Sequence, residues 1–367
     1  MNRTIFLLAG EASGDRRAAE LTAALRARDP SLDFAGMGGP LMREAGVRLV
    51  ADPTGRAVVG ILEVLRNYGY FRRLMQEVLG EMERARPAAV VGVDYPGFNL
   101  RFLRAARARL GSSARLIQYV SPQLWAWNAR RKWAMARTLD AVLCLFPFEP
   151  KIYEETGLRA VFVGHPLGGA QPAEDCRRDP NLFGFFPGSR ERELRAHAPA
   201  LADAAAEILR RRPGARVAWA PASPAAEAFL RKRIPDAPFL PAEEIQRRAW
   251  AGVVCSGTAT LEAAARGLPC CVVYRVGWPT WWMGRLLVRV PHLAMPNLLA
   301  NAPFLKEFIQ SDLTPERVAQ EVLRLADLPA ARATVAAGYA RVRAALGDGC
   351  AAERAAEDIL HSIAANA

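Results

Sequence analysis

Short apolar runs rich in β-branched and aromatic residues alternate along the chain with longer stretches whose apolar positions recur every three or four residues. Runs at 4–9, 88–93, 115–119, 141–145 and 160–163 read as strands, and so do 182–186, 215–220, 251–255 and 270–274 further on. Between them the periodicity predicts helices. One begins near Gly14 with Ala18, Leu21 and Leu25 on a single face; another covers about 70–85, with Leu74, Val78 and Met82 in its apolar stripe. Such alternation predicts α/β architecture, with parallel sheets covered by helices. The polar stretch 170–180, which contains Pro and Gly, divides the series. The expectation is therefore an N-terminal Rossmann-like domain over 1–169, a linker over 170–180 and a C-terminal Rossmann-like domain over 181–367. The last closes with helices near 315–326, 330–344 and 350–364. Two doubly wound halves facing each other across a cleft would place ligands outside the carboxyl ends of their strands.

Composition narrows the function classes. The 367 residues suffice for two cores, and 51% hydrophobic with 23% charged residues is ordinary for a folded chain. Lys and Arg number 49 against 37 Asp and Glu, a formal charge of +12 that attracts polyanions. The basic residues are scattered, without a nucleic-acid motif, which favours phosphorylated substrates or a membrane surface and leaves no expectation of nucleic acid. The six Cys, Cys176 among them, form no CxxC pair, and the four His show no ligand spacing, so buried thiols and no metal are expected. The N-terminal apolar run is too short for a signal peptide, and no run approaches the roughly 20 apolar residues of a membrane span. A soluble or peripheral protein is expected.

Six segments carry candidate chemistry. In LLAGEASGD, Glu11 stands in a strand-to-helix turn, either to meet sugar hydroxyls or in a plain turn; Ser13 or Asp15 can cap the helix. In VGVDYPGFN, Asp94 ends an apolar strand, as a general base or as a turn-forming acid. YVSPQLWAW holds Trp125 and Trp127, a stacking wall or core aromatics. PGSR offers Gly188 and Ser189 as backbone donors and Arg190 as a fork for phosphate oxygens, unless Arg190 merely occupies a surface turn. In SGTATLE, Ser256, Gly257 and Thr258 open a helix that would stabilise a phosphate. Glu262, one turn on, could reach a ribose diol or simply complement the helix dipole. From Arg275 to Asn297, Trp278, Trp281 and Trp282 lie near Arg285 and Arg289, an interfacial segment or domain packing.

These segments, together with FAGMGGPLMREAG, VVGILEVL, LFPFE, FVGHPL, VVYR and MPNLLA, occur in one order from residue 7 to about 310, and the chain resembles the lipid-A-disaccharide synthase family. The resemblance implies a GT-B-type fold and an inverting glycosyl transfer. UDP-2,3-diacylglucosamine would be joined to 2,3-diacylglucosamine 1-phosphate, giving a β-1,6-linked disaccharide 1-phosphate and UDP. It assigns Asp94 as base, with Arg190 and Glu11 beside it in catalysis. Gly188, Ser189, Arg190, Ser256, Gly257, Thr258, Glu262, Asn297 and Gln310 fall on the UDP-sugar side. No metal and no cofactor are implied. The implied location is the cytoplasmic face of the inner membrane, with a homodimer as one option for assembly. Gly97 stands where relatives often carry an acid, and Asn301 where Gly is common. The competing expectations are a transferase or epimerase of the same fold with a soluble substrate, and a non-catalytic paralogue.

Overall fold

The structure is a computed structural model that describes residues 3–54, 68–173, 178–287 and 290–365. The expected motif VVGILEVL, Cys176 and Arg289 lie outside these residues. The chain forms two compact units, Met1–Pro166 with Cys350–Ala367, and Leu167–Gly349.

The first unit is built on β1 (Thr4–Ala9), β2 (Asp33–Met37), β3 (Arg48–Ala51), β4 (Ala89–Val93), β5 (Arg115–Tyr119), β6 (Ala141–Cys144) and β7 (Arg159–Phe162). All pair in parallel, in the order β3-β2-β1-β4-β5-β6-β7. Its helices include α1 (Ala12–Arg28), α2 (Pro40–Glu44), α3 (Tyr68–Ala85), α4 (Pro96–Leu110) and α5 (Arg131–Ala136). Side chains alternate across a strand, so both faces of β1 are apolar. Ile5, Leu7 and Ala9 pack with Ala18, Leu21 and Leu25 of α1, while Phe6 and Leu8 pack with Leu74, Val78 and Met82 of α3.

The second unit continues with β8 (Asp179–Phe186), α6 (Glu191–Arg211), β9 (Arg216–Trp219), α7 (Pro224–Arg231), α8 (Ala242–Arg248), β10 (Ala249–Cys255) and α9 (Thr258–Arg266). It closes with β11 (Cys270–Tyr274), α10 (Trp278–Leu287), α11 (Met295–Ala300), β12 (Glu307–Ile309), α12 (Pro315–Asp327) and α13 (Pro329–Leu346). Its parallel sheet runs β12-β11-β10-β8-β9.

Two boundaries differ from expectation. The last helix, α14 (Ala351–Ala364), belongs to the first unit, because Ala355, Ala356 and Ile359 fill the core beside Leu21 and Leu25. The stretch expected as linker is already tied to the second unit: Ala173 N–H donates to Arg266 O, Arg178 donates to Gln246 O and Ala249 O, and β8 begins at Asp179. Among the described residues, β2, β3 and β12 are strands that the periodicity had not indicated.

Candidate functional site

In both sheets the strand order reverses at one point, and ligands of open α/β sheets bind there, outside the carboxyl ends. In the first unit that point lies between β1 and β4. Ala9 pairs with Val93 in register, so Gly10–Glu11 and Asp94–Tyr95 leave the sheet side by side. The Tyr95 ring covers Gly10 so closely that a Cβ there would lie 2.2 Å from its Cδ1, so any side chain at this position would displace the ring. Glu11 is exposed at the start of α1, and burial first, then the Glu11 carboxylate, push the Tyr95 hydroxyl above its ordinary range. The Asp94 carboxylate is about one-third exposed (34%) and accepts from Arg17 Nη1 at 3.1 Å. Asp15 is structural. Its buried carboxylate accepts from the N–H groups of Gly39, Leu41 and Met42 and so caps α2 rather than its own helix.

The neighbouring turns carry aromatics. Trp125 is half-buried, edge-on to Phe148 at 5.8 Å, and Phe146 stacks on both Phe148 and His165. Trp127 is exposed, with Arg131 over its ring at 5.6 Å. The expected Trp pair therefore splits, one ring packed and one toward solvent. Burial, aided by Arg17, lowers His165 to about 4 and keeps it neutral near pH 7. Burial also raises Glu149 to about 8, although Leu145 and Phe146 N–H each donate to it at 3.1 Å.

In the second unit the reversal lies between β8 and β10, which bring PGSR and SGT together: Phe186 pairs with Val254. Gly188 has φ +119°, and a Cβ there would lie 2.9 Å from Glu193 Cβ. Glu193, three residues into α6, accepts from Ser189 N–H at 3.0 Å, Arg190 N–H at 3.2 Å and Arg190 Nη1 at 3.1 Å. The backbone donor expected of Ser189 is thus already engaged. Arg190 itself remains 53% exposed, able to swing to an anion. His197, one turn further, is fully buried. Its Nδ1 donates to Pro187 O at 2.8 Å and its Nε2 accepts from Arg275 N–H at 2.8 Å, linking the turns after β8 and β11. Gly257 and Thr258 are exposed at the start of α9, where N–H groups and the helix dipole favour an anion, while Ser256 donates to Leu293 O at 2.9 Å. Glu262 is half-buried and accepts from Gln246 Nε2 at 3.2 Å.

Two expected donor contacts face inward instead. Asn297 is fully buried, donating to Leu305 O and Glu307 Oε1 and accepting from Leu305 N–H. Gln310 pairs its amide with both main-chain groups of Val276. These amides hold the segments around α11 and after β11, and their polar atoms are already satisfied. Both departures from the family pattern fit: a Cβ at Gly97 would meet nothing within 4 Å, and Asn301 ends α11 at φ +47°, a conformation Asn shares with Gly. Sequence reasoning missed Arg17, Glu193 and His197. Glu193 had a signal, the spacing at which a residue three into a helix reaches back to its cap. His197 follows it by one helical turn.

A model of the family described as lipid-A-disaccharide synthetase matches residues 5–346. A lipid-A-disaccharide synthase of Myxococcus xanthus (strain DK1622) is 37% identical, covering 97% of this chain and 96% of that relative. Among solved structures, the S. aureus MnaA–UDP co-structure is 12% identical, with a TM-score of 0.67 over 99% of this chain and 97% of that one. The glycotransferase of kitacinnamycin is 16% identical, with a TM-score of 0.63 over 98% of each chain. These two likenesses bear on the fold alone, which is the GT-B type.

Proposed function

The chain belongs to the lipid-A-disaccharide synthetase family, and on that premise we propose that it joins UDP-2,3-diacylglucosamine to 2,3-diacylglucosamine 1-phosphate. It is a glycosyltransferase of lipid A biosynthesis. In the proposed reaction Asp94 takes the proton of the acceptor's primary hydroxyl. That oxygen attacks the anomeric carbon from the face opposite the diphosphate, the bond from that carbon to the diphosphate oxygen breaks, and UDP leaves with inversion to the β-linkage. Glu11, beside Asp94, contacts acceptor hydroxyls. Arg190 and the start of α9 at Gly257–Thr258 stabilise the charge gathering on the diphosphate, which needs no metal in this reading. Ser256 shapes that turn through its bond to Leu293 O. Glu262 takes the ribose diol in exchange for Gln246.

What supports these roles is one observation: the loops carrying Glu11 and Asp94 in the first unit, and the turns carrying Arg190 and Gly257–Thr258 in the second, follow the strands at which each sheet reverses order. Among the described residues no helix is long and apolar enough to cross a membrane. We place the enzyme peripherally at the cytoplasmic face of the inner membrane, with α10 at headgroup depth. Its Trp278 and Trp282 are 58% and 59% exposed, and Arg285 lies over Trp281 at 6.0 Å. The reading is tested in detergent micelles holding both lipids and a chelator. A β-1,6-linked disaccharide 1-phosphate and stoichiometric UDP support it. Hydrolysis to free sugar, or no product despite UDP binding, sinks the acceptor assignment.

A further inference from the structure

Asp94 and Tyr95 have left-handed backbone conformations, at φ +53° and +44°, and Val120, at the end of the adjacent strand, has φ +74°. For a β-branched residue such as Val that conformation is an outlier, and it persists only where the surroundings over-determine it. Two buried amides supply that determination. Asn99 Nδ2, on α4, donates to Asp94 O at 2.8 Å and lies 3.2 Å from both Val93 O and Leu8 O. Gln118 Nε2, on β5, donates to Asp94 O at 3.0 Å, with Val120 O at 3.2 Å and Tyr119 O at 3.3 Å. The main-chain carbonyl of Asp94 is therefore gripped from a helix and from a strand at once.

We propose that Gln118 and Asn99 are positioning residues for the transfer reaction, holding the Asp94 carboxylate in place through its own main-chain carbonyl. The inference rests on Asp94 being the base. Both side chains are fully buried, and their amide oxygens, Gln118 Oε1 and Asn99 Oδ1, have no hydrogen-bond partner among the described residues. Their nitrogens make the bonds to Asp94 O away from solvent, where a carbonyl that loses its donor has no water to replace it and the loss is costly. The strand beneath is adapted to them. Gly92 pairs with Leu8 on one side and Gln118 on the other, and a Cβ there would lie 2.8 Å from Gln118 Oε1 and 3.1 Å from Asn99 Cβ. Glycine at 92 admits both amides over the sheet, where they reach the next turn. Fixing that carbonyl fixes the direction in which the Asp94 side chain leaves the backbone.

Displacing a reacting group by about 1 Å can cost about 100-fold in rate. Gln118→Met keeps the volume and removes the donor. It is expected to lower kcat by about 10- to 100-fold, leaving the donor KM and the UDP dissociation constant unchanged. Combined with Asp94→Ala it should add no further loss, because both changes remove the same contribution. A fully active, folded Gln118→Met enzyme overturns the proposal, as do losses that multiply in the double variant. Asn99→Ala decides the same question from the helix side if Gln118→Met does not fold. The two readings fail separately: near-normal turnover in Asp94→Ala removes the base assignment itself, whereas a slow Asp94→Ala beside a full-speed Gln118→Met removes only the positioning role.

Discussion

At the scale of single residues, Glu149 gives the clearest test of burial. Its carboxyl, pushed up to about 8 by burial, prefers the protonated form in the folded chain. A group whose folded pKa lies above its unfolded value contributes stability that is complete below the unfolded pKa and lost as pH rises through the folded one. The wild-type unfolding midpoint should therefore decline relative to Glu149→Gln between about pH 5 and about pH 9. An unchanging difference between the two proteins across that range would show that Glu149 titrates as an exposed acid. Arg190 tests the donor side. A charge-assisted contact contributes about 1.5–3 kcal/mol, so Arg190→Ala should weaken UDP binding by about 10- to 100-fold in titration calorimetry. The Glu193 partner that Arg190 must release places the expected effect toward the lower end. Unaltered UDP affinity would remove Arg190 from the donor site.

At the scale of elements, α14 is the piece that sequence order misassigns. Its Ala355, Ala356 and Ile359 are buried in the first unit's core, and Asp358 pairs with Arg159 of β7. A chain cut before Ala351 should lose the cooperative unfolding of the first unit while the second still binds UDP; two intact transitions would contradict that packing. Of the strands that periodicity indicated, β4 and β6 are apolar and buried on both faces, and β1 and β5 are found at the predicted residues. Those it did not indicate are short or interrupted. β2 carries Gly36, whose lost side chain weakens the strand signal, yet a Cβ there would lie 1.9 Å from Leu7 O. β12 has only three residues, too few for any period. The site divides the same way. Loop motifs were legible because Gly, Asp and Arg cluster where a strand ends. The holding groups were not, since Gln118 reads as one polar residue inside RLIQY until the register sets it opposite Gly92. Asn297 and Gln310 show the converse: family position marked them, but only their hydrogen bonds reveal that they face the frame.

At the scale of the whole molecule, a formal charge of +12 and exposed Trp278 and Trp282 suit a protein that works on anionic lipid at a surface. Trp278→Ser with Trp282→Ser should reduce sedimentation with anionic vesicles while turnover on detergent-dispersed substrate stays near wild type. Equal vesicle binding would assign α10 another role. The central claim is that this chain transfers a sugar with Asp94 as its base. The most direct measurement is single-turnover disaccharide formation in mixed micelles by wild type and Asp94→Ala, with UDP affinity measured on both. The account predicts a rate at least about 100-fold lower in the variant with UDP affinity unchanged. A variant that forms disaccharide at nearly the wild-type rate would contradict it.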